Sequence, residues 1–182
     1  PQHEDAADAW TEGIRYVVDN TDFEVTSSEV FRNEIVPGYG AAIVEFDAKK
    51  DIAIARIPWD RYYYAPHSRE LDFSDKKYDG IVIWMDKNDL KDDFPEKATD
   101  IDTLFTNMAN GDETFDDKPR NWVDHKRNRV RICQHFYREK GVWMMCYFSE
   151  NHFLQDPAES PFLDEFGKPT NPIEMQTAYI DR

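Results

Sequence analysis

Catalysis needs nucleophiles, bases or metal ligands at fixed spacing, and this chain offers five histidines and two cysteines. The histidines form no His-x-x-x-His pair, and two cysteines are too few for a zinc site or a disulfide framework. Cys133 and Cys146 lie in apolar sequence, where burial raises the thiol pKa, so a Cys–His nucleophile is disfavoured. His67 could act as a base, but a turn residue bonded to backbone is the simpler interpretation. The sequence therefore predicts no catalytic residue.

Phosphate and metal sites are equally weakly supported. Gly38-Tyr39-Gly40 lacks the third glycine of a dinucleotide fingerprint, because Ile43 stands there, and a helix-like segment precedes it. The acidic clusters at 72–79 and 112–117 lack the alternating ligands and closing Glu of a calcium loop. An adventitious cation could sit at either cluster, but we predict no cofactor and no metal.

The charge balance restricts the partners. The net charge is −15, from 37 acidic and 22 basic residues, so the chain repels phosphate and an anionic membrane surface. The longest apolar run, Ile81 to Met85, is too short to cross a bilayer, and no signal peptide is recognisable at the start. We expect the partners to be basic protein surfaces, cations, or further copies of the chain held by apolar contacts.

One basic cluster interrupts the acidic sequence. Lys126, Arg127, Arg129 and Arg131 lie close to Trp122, a combination that can contact phosphates. In so acidic a chain, these residues are more often paired with carboxylates of the same or an adjacent subunit. Both interpretations remain open, with ion pairing preferred over DNA contact.

Two kinds of periodicity indicate an α+β fold. Helices are expected at Ala6–Val18, capped by Asp5, and from a Thr21/Glu24 capping box through Val36, with their apolar stripes in the core. Strands follow at 39–46, 52–57 and 79–85, the last of these central, with an extended aromatic segment at 59–64. Asp86 should cap a short helix that ends before Pro95, and another helix should run over 96–108.

The segment 129–148 reads as a β-hairpin that turns near Gly141. A three-residue loop with Gly141 left-handed places Met144, Cys146 and Phe148 on the face of Val130, with Cys133 on the other. A two-residue loop would set the two cysteines opposite each other. We prefer the first register, and hence free thiols.

The predicted order is N-terminal helices, antiparallel strands, two short helices, a β-hairpin and a final strand at 173–180. A Pro-rich, largely irregular stretch at 155–172 precedes that last strand. This order divides the chain into three predicted regions. They are a helical and sheet region at 1–108, a polar connection at 109–128, and the hairpin, Pro-rich loop and terminal strand at 129–182. The chain starts without Met and stops within a strand-like pattern, which predicts part of a longer protein.

An unusual set of short motifs fills the segment 57–95 and resembles the portal proteins of short-tailed (podovirus-type) bacteriophages. They are Ile57-Pro58-Trp59-Asp60, Tyr62-Tyr63-Tyr64, Pro66-His67-Ser68, Asp72-Phe73-Ser74-Asp75, Trp84-Met85-Asp86 and Phe94-Pro95. The Gly-rich bend in 33–46 and the run 160–169 with Tyr179-Ile180-Asp181-Arg182 are similar to the same family.

The resemblance implies an internal fragment, the wing-like region of a portal subunit. Portal subunits form a ring, typically dodecameric, through which double-stranded DNA enters and leaves the capsid without tight binding. The ring docks terminase and then tail adaptor proteins at one capsid vertex of the virion, after assembly in the host cytoplasm. It is structural and not an enzyme, with no cofactor and no membrane.

The candidate interface or packing residues are Trp59, Tyr62, Tyr63, Tyr64, Arg127, Arg129 and Arg131. For the four aromatics, ordinary core packing is the simpler interpretation. Two other function classes remain open: an acidic, non-enzymatic protein-interaction domain, and a hydrolase with dispersed carboxylates. The absence of nucleophile and metal spacing argues against the hydrolase.

Overall fold

The computed structural model describes residues 2–46, 51–107 and 122–177, which fall into two compact units. Unit 1 comprises residues up to Asp60 together with His67–Asp75 and the segment from Pro172. Unit 2 comprises Arg61–Pro66 and Lys76–Asn171. The predicted α+β class is confirmed, since helices begin the chain and the strands of both units are antiparallel.

Unit 1 contains two helices and a three-stranded sheet. The helices are α1 (Gln2–Asn20) and α2 (Phe23–Ile35). The strands are β1 (Gly40–Phe46), β2 (Ile52–Ile57) and β9 (Ile173–Gln176), in the order β2-β1-β9. The predicted hairpin of β1 and β2 is confirmed, although its turn at 47–50 lies outside the described residues.

Both predicted helix caps in unit 1 are wrong. Helix α1 begins before Asp5, so this residue lies within the helix instead of capping it. The hydroxyl of Thr21 donates to the carbonyl oxygen of Val17 at 2.7 Å, which ends α1 and leaves no capping box for α2. Asp22 takes the cap position with a left-handed backbone (φ 49°) and makes no side-chain capping bond.

The predicted burial of the helical stripes is also wrong. Trp10 and Ile14 of α1 are 74% and 61% exposed, and Phe31 and Ile35 of α2 are equally open. Asn33 is the buried side chain of α2, which packs against β1 and β2. Periodicity correctly identified these helices but could not establish what covers their apolar sides.

Unit 2 is built on a larger antiparallel sheet. Its strands are β3 (Tyr62–Tyr64), β4 (Tyr78–Asp86), β5 (Val123–Asp124), β6 (Arg129–Glu139), β7 (Val142–Ser149) and β8 (His152–Glu159). The sheet order is β3-β4-β6-β7-β8, with β5 paired to the start of β6. Strand β4 is internal, as its continuous apolar sequence predicts.

The hairpin of β6 and β7 turns through two residues, so the predicted three-residue loop is wrong. Lys140 and Gly141 both have positive φ (51° and 87°), the signature of a type I′ turn. Glu139 faces Val142 and Cys133 faces Phe148, which moves Met144, Cys146 and Phe148 to the face of Cys133. Although a two-residue loop was expected to set the cysteines opposite each other, Cys146 faces His135, so the cysteines are diagonal neighbours on one face. Both are free thiols, as expected.

Strand β8 occupies a stretch that the sequence predicts to be irregular. Pro157 lies within it, and proline cannot donate to a ladder, so the sequence argued against a strand there. The structure accommodates the proline because β8 is the last strand of the sheet and its pairing with β7 shifts register near Tyr147.

Two helices cover one face of the unit 2 sheet. They are α3 (Lys87–Asp93) and α4 (Ala98–Asn107), joined by a 3-10 turn at Pro95–Lys97. The predicted cap is confirmed, because the carboxylate of Asp86 accepts the backbone N–H of Asn88 at 2.8 Å. The core beneath comprises Leu90, Ile101, Leu104, Val123, Val130, Ile132 and Leu154.

Each sheet pairs strands from before residue 108 with strands from after residue 128, because β1 pairs with β9 and β4 pairs with β6. The ranges 1–108, 109–128 and 129–182 thus describe the order of segments along the chain and stay a prediction as domain limits. Residues 108–121, most of the predicted connection, lie outside the described part of the chain.

Candidate interface surfaces

The aromatic run does not act as one surface. Trp59 begins a 3-10 turn, is half-exposed, and accepts a hydrogen bond from the Tyr39 hydroxyl on its backbone oxygen at 2.6 Å. Tyr62 is buried, whereas Tyr63 and Tyr64 are half-buried. Strand alternation explains the difference, because Tyr62 and Tyr64 point to one face and stack at 5.8 Å, while Tyr63 points to the other.

Tyr62 belongs to a buried polar cluster centred on Asp79. The Asp79 carboxylate is fully buried and accepts the Tyr62 hydroxyl at 2.9 Å and the Asn171 amide at 2.7 Å. The ammonium of Lys76, itself 8% exposed, forms an ion pair with it at 2.8 Å. Three donors therefore compensate the desolvation of this carboxylate, and Tyr62 serves packing within its own unit.

Tyr63 lies on the opposite face of the sheet, beside His135. Its hydroxyl is 3.0 Å from Nδ1 of His135, and the two rings stack at 5.8 Å. Burial, followed by the nearby cysteines, raises the pKa of Tyr63, so the phenol stays protonated, and it shares this hydrogen bond with the imidazole of His135. Rings of Tyr78, Tyr137 and Phe148 also surround His135 within about 6 Å.

Gly80 makes this arrangement sterically feasible. It faces Tyr63 on β3 and His135 on β6, and a Cβ there would lie 2.6 Å from the Gln134 carbonyl oxygen and closer still to the Tyr63 phenol. We expect Gly80→Ala to lower the free energy of unfolding by about 1–3 kcal/mol, through overpacking. Urea denaturation measures this loss.

The control is Gly13→Ala in α1, where an added Cβ meets nothing within 4 Å. That substitution should leave stability unchanged or raise it by about 0.4–1 kcal/mol, because alanine favours the helix. Equal effects of the two substitutions would contradict the close approach at Gly80.

His135 should make stability depend on pH. Burial, its largest influence, lowers the pKa of His135 from 6.5, although the charge of Asp79 opposes this. Below pH 6.5 the unfolded chain binds a proton that the folded chain does not, so stability falls until the folded pKa is reached. Urea midpoints at about pH 7.5 and about pH 5.5 should differ less in His135→Gln than in the wild type. The exposed His67→Gln provides the control and should retain the wild-type difference.

The basic cluster surrounds the start of β6. Arg127 donates its backbone N–H and its guanidinium to Asp124, at 3.1 and 3.2 Å. Burial would raise the pKa of Asp124, but the two bonds from Arg127 outweigh it and lower the pKa overall. Arg129 is exposed and lies opposite Asp86 on β4 and Asp124 on β5. Two of the three predicted arginines thus face carboxylates of their own unit.

Arg131 lies between two tryptophans. Its guanidinium carbon is 5.1 Å from the ring centroid of Trp84 and 5.8 Å from that of Trp122, distances typical of cation–π contacts. The sequence placed Trp122 beside the basic cluster but did not single out Trp84 for this role. The signal was available, because pairing of the buried strand β4 with β6 sets Trp84 opposite Arg131.

The motif at 66–75 has a structural explanation. The Ser68 hydroxyl and the Arg69 backbone N–H both donate to Asp75, and the Ser74 N–H donates to Asp72 at 3.1 Å. The Ser68 bond chiefly lowers the pKa of Asp75, and the Ser74 bond chiefly lowers that of Asp72. These carboxylates hold tight turns, while His67 is exposed.

Reactive chemistry has little support among the described residues. They contain no group of three or more His, Cys, Asp or Glu arranged to hold a metal ion. Burial raises the pKa of Cys133 to about 11 and also raises that of Cys146, so both thiols stay protonated. In the parts of the chain that are described, no helix is long and apolar enough to span a membrane.

Comparison with known protein families identifies the family to which the chain belongs. The sequence pattern of the family described as "Phage P22-like portal protein" matches residues 1–142. The chain belongs to this portal protein family. No curated protein matched the chain.

Membership confirms the resemblance deduced from the motifs at 57–95. Portal proteins are structural, non-enzymatic components of the virion, and they form oligomeric rings that act in DNA packaging. The match spans unit 1 except its segment from Pro172, and most of unit 2, and it includes all seven candidate interface or packing residues. It ends at Val142, so the third resembling segment, 160–169 and 179–182, lies outside it.

Proposed function

We propose that this chain is the wing-like region of a portal subunit whose ring, typically dodecameric, forms the conduit for DNA at one capsid vertex. In this role it docks terminase during packaging and tail adaptor proteins afterwards, and it catalyses no reaction. The observation that carries the proposal is the family match over residues 1–142. Assembly would take place in the host cytoplasm before the subunit becomes part of the virion.

The electrostatics support a conduit that does not retain DNA. The net charge of −15 disfavours tight binding of the duplex, which would otherwise slow its passage. Arg127, bound to Asp124, and Arg131, in cation–π contact with two tryptophans, are engaged within their own unit. This engagement favours a packing role over phosphate contact for the basic cluster.

Of the predicted interface residues, the exposed ones suit a contact between subunits best. Trp59 is half-exposed, and Arg129 is exposed at the start of β6. Tyr62 is committed to the Asp79 cluster, and Tyr63 to His135. We therefore propose Trp59 and Arg129 as rim contacts and assign Tyr62 and Tyr64, which stack on each other, to internal packing.

Negative-stain electron microscopy of the purified parent protein, over a range of concentration and salt, tests this function. Rings with a central channel are the expected result. Monomers or compact dimers under all conditions would oppose it and favour an acidic protein-interaction domain instead. Pull-down with terminase and adaptor proteins then tests the docking partners separately.

A further inference from the structure

Helix α1 has an apolar side that unit 1 leaves uncovered. Its main contact is with α2, directly after a two-residue link, and Trp10 and Ile14 are both largely exposed. Val17, further along the same side, is half-buried. The stability of helices in proteins comes mostly from packing of an amphipathic face, so a 19-residue helix with this stripe requires a surface to lie on.

The unit 2 sheet has a face of complementary character. One side is covered by α3 and α4, and the other, here named the aromatic face, carries rings from five strands. These residues are Tyr63, Tyr78, His135, Tyr137, Phe148 and Phe153. Phe153 is 46% exposed, and an open cavity of about 460 Å³ lies beside it, lined also by Tyr137 and Phe148.

The segments around the two surfaces are opposite in charge, although the cavity beside Phe153 is itself lined by Glu150. The sequence of α1 contains five carboxylates and one arginine, and at helical spacing Asp5, Asp8, Glu12 and Asp19 lie on the side away from Trp10. The aromatic face adjoins the segment 124–131, which has four basic residues and one acidic residue. Opposite charge steers two surfaces together, and the acidic side of the helix can stay in solvent after docking.

We propose that the apolar side of α1 packs on the aromatic face of a neighbouring copy of this chain. A helix would then cover each face of the unit 2 sheet: α4 from the same chain and α1 from the neighbour. The contact is head-to-tail, because one copy supplies the helix and the next supplies the sheet. Such contacts generate rings when their rotation closes, so the inference rests on the proposed function and specifies one of its subunit contacts.

Photo-cross-linking tests the contact directly. Benzoylphenylalanine replaces Trp10, and unlabelled chains that carry it are mixed with isotope-labelled chains that lack it. After irradiation, mass spectrometry identifies which chain and which residue the probe has reached. The expected products join α1 of one chain to residues 135–153 of a different chain.

Substitution of the receiving surface provides the matched comparison. Phe153→Asp in the labelled chain should reduce the cross-link yield by roughly tenfold or more, since it places a charge in the apolar contact. Phe166→Asp, at a position that is 76% exposed and outside both surfaces, should leave the yield unchanged. Circular dichroism verifies that both variants fold.

Cross-links to other surfaces, cross-links within one chain alone, or no cross-link at all would overturn this contact. A yield that Phe153→Asp and Phe166→Asp reduce equally would overturn it as well. The portal function is tested independently of this contact, because electron microscopy detects ring formation by the parent protein whatever residue the probe reaches. Rings together with α1 cross-linked elsewhere would refute the contact and leave the function intact.

Discussion

Replacement of Asp79 by alanine should lower the free energy of unfolding by about 3–5 kcal/mol. The substitution removes the carboxylate that balances the buried ammonium of Lys76 and takes the acceptor from Tyr62 and Asn171. A buried charge that loses its counter-charge costs far more than the pair contributes, because water cannot replace the lost partner. Urea denaturation followed by tryptophan fluorescence gives the difference.

A double substitution separates the charge effect from packing. Lys76→Met combined with Asp79→Leu removes both charges, so this chain should be more stable than Asp79→Ala alone. Asp102→Ala is the exposed comparison: its carboxylate pairs with Lys87 and Lys91 at 2.8 Å but is half open to solvent. Solvent screens such pairs, so its unfolding midpoint should stay close to that of the wild type. Equal losses at positions 79 and 102 would refute the assigned role of Asp79.

The Asp79 cluster shows what the sequence could not reveal. Asn171 is 92 residues away from Asp79, and no local pattern connects the two. Asp86, by contrast, caps the residues that follow it directly, and its role was predictable from neighbours alone. Local hydrogen bonds can therefore be predicted from a single sequence, whereas long-range polar clusters can be identified only once the fold is known.

The apolar patterns were likewise predictable where they depend on local geometry and were missed where they depend on the pairing of strands. Alternation and periodicity correctly predicted β1, β2, β4 and the hairpin of β6 and β7, because side-chain direction follows directly from backbone geometry. The register of that hairpin was missed because a shift of one residue in the turn moves every β7 side chain to the other face. Strand β8 was missed because it contains Pro157. Proline is compatible with an edge strand but not with an internal one, and the sequence does not show which strand lies at the edge.

The candidate interface was predictable only in part. The motifs at 57–95 identified the portal family, yet Tyr62, Tyr63 and Tyr64 are adjacent in sequence and lie in different environments. The stripe of α1 was correctly seen as apolar but wrongly assigned to the core. An apolar stripe indicates that a helix packs on some surface, but the stripe alone does not identify that surface.

Phe136 on β6 is fully buried and is among the largest side chains with no solvent exposure. Phe136→Ala should lower the free energy of unfolding by about 3–5 kcal/mol, because it removes a whole aromatic ring and leaves a cavity that a sheet interior closes poorly. The ring also loses its edge-on contact with Phe162, whose centroid lies 6.2 Å away. Guanidinium denaturation should show a lower midpoint with an unchanged slope.

Phe166→Ala removes the same ring at a position that is 76% exposed, so it controls for the chemistry of the substitution. Its effect should stay within about 0.5 kcal/mol of the wild type. Phe136→Leu should fall between the two, since leucine refills part of the cavity. If Phe136→Ala and Phe166→Ala were equally stable, the ring of Phe136 could not lie in the interior of unit 2, and the register of β6 against β4 and β7 would have to shift by one residue.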